Sequence, residues 1–130
     1  LALPQAMIAE GAFTFDSGVK AAEKLLSQKD RPTAIFAGND EMALATIAVA
    51  SRLGLSVPTD LSVVGFDGTA YASFVVPSLS TIKRPTREMA QLATQKLIAR
   101  INEGRDVART FETMISPEFV PRDSSGPAPT

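Results

Sequence analysis

Apolar residues along this chain fall into two rhythms, short uninterrupted runs and longer stretches spaced three and four apart, and the two alternate. Residues 6–11 (AMIAEG) make a short apolar run of the kind that enters a sheet. Asp16 and Ser17 then offer helix N-caps, and VKAAEKLLSQ places Val19, Ala22, Leu25 and Leu26 on one face. Residues 34–38 (AIFAG) form a compact apolar run followed by Asn39 and Asp40. Either polar residue can cap a helix reaching to about Leu53, where Gly54 supplies the stop. After the turn SVPTD, residues 61–67 (LSVVGFD) are apolar through their middle, as a strand buried on both faces should be. Past Asp67 the rhythm breaks into a short helix or turn at 70–76 and an extended SLSTIKR that ends at Pro85. Thr86 caps a third helix to about Asn102, with Met89, Leu92, Ala93, Leu97 and Ile101 at helical spacing. Residues 110–120 alternate like a half-buried strand, with Pro117 pointing to an edge or a bulge. Four strands and three helices in alternating order, with short connections, predict an α/β domain on a parallel sheet.

The second helix, DEMALATIAVASRL, is apolar around almost its whole circumference. One apolar stripe suffices for a helix resting on a sheet, so this one is expected to be covered on several sides. Its neighbours in the same chain can supply that cover, and so can a second copy of the chain. A homodimer through this helix is one of the two expectations.

Composition narrows the function classes. The chain has 130 residues, 45% of them apolar and 21% charged, which suits one domain with a real core. A net charge of −1 argues against direct contact with nucleic acid by this segment. The chain contains no Cys and no His, which removes disulfides, thiolate metal sites and Ser–His nucleophile pairs. No metal or cofactor is therefore expected, and an enzyme is disfavoured. No apolar stretch approaches the ~20 residues of a membrane span, and residues 1–8 lack the pattern of a signal peptide. The first residue is not Met, so the sequence reads as the interior of a longer gene product. Residues 123–130 (DSSGPAPT) read as a disordered tail.

Ligands of open α/β sheets bind beyond the carboxyl ends of the strands. Phe13 follows the first expected strand, Asn39 and Asp40 the second, and Asp67 the third. An aromatic face stacks on the apolar face of a sugar or a base, a carboxylate accepts from hydroxyls, and an amide both donates and accepts. That set suits recognition of a polyol better than a reaction. Each residue also has a plainer reading: Asn39 and Asp40 as helix caps, Asp67 as a turn residue before Gly68, Phe13 as core. From pattern alone Lys83 and Arg84 read as solvated cations, and GFDG at 65–68 lacks the GxGxxG or GKS/GKT pattern of a phosphate loop.

These residues bear a resemblance. RPTAIFAGNDEMAL, GLSVPTDLSVVGFD and PSLSTIKRP, with EGAFTFDSGVKAAEKLL upstream and FVPRDSS downstream, resemble the C-terminal lobe of LacI/GalR-type transcriptional regulators in the same order. The likeness spans about Ala6 to Ser125; SLSTI in place of the commoner PLTT run is a mild departure. The resemblance implies a parallel-sheet, three-layer lobe of a type I periplasmic-binding-protein-like fold, covering residues 1–122, whose partner lobe is absent. It implies that the helix at 86–103 packs on that missing lobe. By the same likeness Phe13 stacks on a small-molecule effector, Asn39 and Asp67 hydrogen-bond it, and Arg84 lies on the crossover between lobes near the pocket. Leu44 would sit at the contact between subunits of a homodimer. The implied protein is cytoplasmic and meets operator DNA only through an N-terminal head outside this sequence. Its effector is expected to be a sugar or sugar derivative, although the same residues would tolerate a purine. The alternative is a periplasmic sugar-binding protein of a transport system, which shares the fold.

Overall fold

The computed structural model describes residues 3–103 and 112–129. The elements run α1 (Phe15–Leu26), β1 (Ala34–Phe36), α2 (Asp40–Arg52), β2 (Ser62–Asp67), β3 (Ser80–Lys83), α3 (Thr86–Glu103) and β4 (Glu118–Val120). Single 3-10 turns lie at Gln5–Met7 and Ala70–Ser73. The sheet has the order β1-β2-β3-β4, with β1/β2 and β2/β3 parallel. The α/β class and the parallel sheet are those the hydrophobic pattern predicts.

The chain divides into two compact units, one of Leu1–Lys83 with Phe119–Thr130, the other of Arg84–Glu118. In the first, α2 runs between α1 and the sheet, and the core gathers Ala22 and Leu26 of α1, Ala43, Val49 and Ala50 of α2, and Leu61, Val63 and Leu79. The two helices approach closely where α1 carries no side chain. A Cβ at Gly18 would stand 2.8 Å from the Met42 Cα and 2.9 Å from the Ala45 Cβ. Leu44 and Ile47 of α2 are only half-buried at the margin of this core. Much of the cover expected for α2 thus comes from its own chain. The helices lie against the face of β2 that carries Val63 and Gly65. The opposite face, with Ala34, Phe36, Val64 and Ile82, is one wall of an apolar cleft of about 550 Å³. In the second unit, α3 exposes Met89, Leu97, Ile98 and Ile101, so its apolar spacing is present without a buried stripe.

Several local expectations are corrected. α1 starts at a Thr14 cap and not at Asp16 or Ser17. The Thr14 Oγ1 accepts from the Ser17 N–H at 3.3 Å, and the Ser17 Oγ accepts from the Thr14 N–H at 3.2 Å, a reciprocal capping box. Residues 6–11 are not a strand. Pro4 opens a 3-10 turn whose bonds, Met7 N–H to Pro4 O and Ile8 N–H to Gln5 O, consume the start of the run before a ladder can form. Of the strand expected at 110–120, residues 110–111 lie outside the described residues, 112–117 are irregular, and only Glu118–Val120 is a strand.

Residues 123–126 are not a loose tail. Ser124 is fully buried, its Oγ accepting from the Ser80 N–H at 2.8 Å and donating to the Val63 carbonyl at 2.6 Å. Its backbone bridges the same strands, Val63 N–H to Ser124 O and Ser124 N–H to Ser78 O. The Gly126 N–H donates to Ser62 Oγ. Composition misleads here because small hydroxyl side chains bury readily once every polar group finds a partner.

Candidate functional site

Parallel strands direct their carboxyl ends to one edge of the sheet, and the register sets the level at which the chain leaves each of them. Phe36 of β1 lies opposite Val64 of β2. Asn39 comes three residues after Phe36, and Asp67 three residues after Val64. The two polar candidates therefore lie at the carboxyl ends of adjacent parallel strands, Asn39 just past β1 and Asp67 as the last residue of β2.

Asn39 is the N-cap of α2, its Oδ1 accepting from the Met42 N–H at 2.9 Å. Its Nδ2 also donates to the Phe13 carbonyl at 3.0 Å. The plain reading of Asn39 as a cap and its grouping with Phe13 thus both hold, because the amide has separate groups for each task. Phe13 is not core: the residue is 65% exposed. Its backbone is in the left-handed region at φ 59°, and its ring edge lies over Gly38, 3.4 Å from where a Cβ would stand. Phe13 is thus an exposed aromatic in an uncommon backbone conformation beside a polar amide.

Asp67 ends β2 half-buried at φ 124°, followed by Gly68 at φ 73°. For a residue with a Cβ such a conformation costs on the order of 1–3 kcal/mol and persists only where its surroundings hold it. The hold is visible next to it. Asp40, the first residue of α2, is 1% exposed; its Oδ2 accepts from the Thr69 N–H at 2.7 Å and from the Thr69 hydroxyl at 2.8 Å. Its Oδ1 accepts from the Thr81 hydroxyl at 2.5 Å, and the Thr81 oxygen in turn accepts from the Gly68 N–H at 3.3 Å. Asp40 therefore does not face a ligand, although its place after β1 made it a candidate beside Asn39. The signals that point to its role are a glycine inside β2 and a fully buried threonine inside β3. A Cβ at Gly65 would stand 2.4 Å from the Asp40 Oδ1, so only glycine admits the carboxylate.

Arg84 directly succeeds β3 and opens the second unit, its carbonyl accepting from the Thr86 N–H at 2.9 Å. The structure brings together Phe13 and Asn39, puts Asp67 at the carboxyl end of the neighbouring strand, and assigns Arg84 to the other unit. Leu44 packs half-buried against the core from α2. The apolar cleft on the sheet face is a separate feature, since none of Phe13, Asn39 or Asp67 lines it.

An open, mostly parallel sheet with helices packed on it is the architecture of a periplasmic-binding-protein-like lobe. The chain belongs to the periplasmic binding protein-like domain family, matching it over residues 1–125. It is 41% identical over 122 residues to the HTH-type transcriptional repressor PurR of Proteus mirabilis, covering 94% of this chain and 35% of that protein. It thus spans about a third of the length of such curated relatives. Among solved structures it resembles the transcriptional regulator CelR in complex with cellobiose, with a TM-score of 0.88 and 29% identity over 96% of this chain and 38% of that one. It also resembles the Escherichia coli transcriptional repressor ascG, with a TM-score of 0.77 and 37% identity over 95% of this chain and 44% of that one. Within the family, the chain is similar to one part of LacI-family transcriptional regulators.

Proposed function

We propose that this chain forms one wall of the small-molecule effector site of a cytoplasmic, DNA-binding regulator, and that the effector is a sugar or sugar derivative. The observation that carries the reading is the exposed Phe13, tied through its carbonyl to Asn39, at the end of the sheet where Asp67 closes the neighbouring strand. An aromatic face beside an amide and a carboxylate matches a ring with an apolar face and peripheral hydroxyls. An effector bound here changes DNA occupancy only to the extent that it binds one arrangement of the regulator better than another.

Two further parts of the reading concern surfaces. The second copy of a homodimer meets α2 at Leu44; the half-burial of Leu44 and Ile47 supports this, as do the exposed Tyr71, Phe74 and Val76 beyond β2. The exposed Met89, Leu97, Ile98 and Ile101 support docking of α3 on a second lobe.

The test is a titration of the ¹⁵N-labelled chain with D-ribose, D-galactose, cellobiose, lactose and purine bases. Saccharide-dependent shifts centred on Phe13, Asn39 and Asp67, abolished by Asp67→Ala, are the expected result. Shifts with purine bases alone would replace the sugar by a nucleobase. No shift at these amides with any of the compounds would overturn the site.

A further inference from the structure

The buried carboxylate of Asp40 has no place in the ligand set, yet it bonds to both elements that frame Asp67. We propose that Asp40 is a positioning residue for effector binding: with Thr81 it fixes the backbone of 67–69 and so aims Asp67 at the ligand. The inference rests on reading Asp67 as a ligand residue.

Asp67 and Gly68 both have positive φ, at 124° and 73°, so the chain turns sharply as it leaves β2. Nothing within an extended strand favours that turn, and at Asp67 the Cβ opposes it. Three hydrogen bonds oppose relaxation, and all converge on one pair of side chains. The Thr69 N–H and hydroxyl go to the Asp40 Oδ2, while the Gly68 N–H goes to the Thr81 oxygen. The Thr81 hydroxyl donates to the Asp40 Oδ1 and closes the network between α2, β3 and the loop. Asn39 precedes Asp40 in the chain, so the helix start that caps through Asn39 also anchors the Asp67 turn. Two recognition groups from different strands are thereby set by a single helix N-terminus. Thr81 and Asp40 are both fully buried, so water cannot substitute for either.

The network separates shape from charge. An asparagine at this position can keep its carbonyl oxygen on Thr69 and turn its amide toward the Thr81 oxygen, which has a lone pair to accept. Asp40→Asn should therefore hold the loop, while Asp40→Ala should release it.

The experiment is amide exchange measured by NMR on the chain and three variants, together with titration by cellobiose and the other saccharides of the panel. In Asp40→Ala, exchange at Thr69 should rise about tenfold relative to Val63 in β2, and the saccharide dissociation constant should rise about tenfold. Asp40→Asn should restore both to within about threefold of the parent. Should Asp40→Ala fail to fold, Thr81→Val removes the acceptor of the Gly68 N–H while keeping its volume, and Gly68 should then exchange faster than Val63. A uniform rise across β2 and β3, unchanged saccharide affinity in Asp40→Ala, or an asparagine variant as impaired as the alanine one would each overturn the proposal. A parent chain that binds no saccharide would overturn the underlying ligand reading instead. In that case the exchange ratios would still show whether Asp40 holds the loop.

Discussion

Replacing Ser124 by alanine tests whether the last residues of the chain belong to the folded core. The side chain is fully buried and makes two hydrogen bonds, from the Ser80 N–H at 2.8 Å and to the Val63 carbonyl at 2.6 Å. Alanine removes both and leaves the Ser80 N–H as a buried donor with no acceptor in place. An orphaned buried donor costs about 1–3 kcal/mol, whereas a hydrogen bond exchanged for water costs about 1 kcal/mol. The carbonyl tolerates its loss better than the donor does, so a destabilisation of about 2 kcal/mol is expected. In urea unfolding followed by circular dichroism, that loss lowers the midpoint by roughly 1 M at an ordinary slope. Ending the chain after Arg122 also removes the backbone bonds Val63 N–H to Ser124 O and Ser124 N–H to Ser78 O, and should cost at least twice as much. Ser125→Ala is the control, since the Ser80 hydroxyl it pairs with keeps the Arg122 backbone as partner. The reasoning fails if Ser124→Ala and the shortened chain both unfold within about 0.3 kcal/mol of the parent. The segment would then be hydrogen-bonded to water, as its composition alone implies.

Other perturbations test the packing around the candidate site. Gly65→Ala would place a methyl 2.4 Å from the Asp40 Oδ1 and 3.1 Å from the Leu79 Cδ2, and should cost about 3 kcal/mol by overpacking in a thermal melt. Gly68→Ala combines a φ of 73° with a Cβ 2.8 Å from the Lys83 Cα; it should destabilise the chain and shift the Asp67 amide resonance. The Arg52–Glu23 pair, 2.8 Å apart but 60% and 53% exposed, should contribute under about 1 kcal/mol in a double-mutant cycle and fade at high salt.

Local pattern was enough to set the class of fold and the order of its elements. The apolar run at 34–38 and the apolar middle of 61–67 mark strands, and the spacing of Val19, Ala22, Leu25 and Leu26 demands a helix ahead of them. Burial on both faces did not follow, since β1 exposes Ala34 and Phe36 and β2 fully buries only Val63 and Gly65. The same pattern placed Asn39 just after one strand and Asp67 at the end of the next, the end of the sheet at which ligands of open α/β folds bind. Features that depend on partners distant in sequence could not be read from local composition. Residues 123–126 have the composition of a loose end, and Ser124 is nevertheless core because Val63 and Ser80 meet it across 61 and 44 positions. Residues 6–11 have the composition of a strand, and the turn opened by Pro4 prevents it. Asp40 looked equivalent to Asn39 beside it. The tertiary structure separates them: helix geometry turns the cap outward to Phe13 and carries the next residue inward, where Thr69 and Thr81 arrive from 29 and 41 positions away. A hydrogen bond is indifferent to sequence separation, and a buried carboxylate is stable only where its donors converge, so its role was decided by the fold alone.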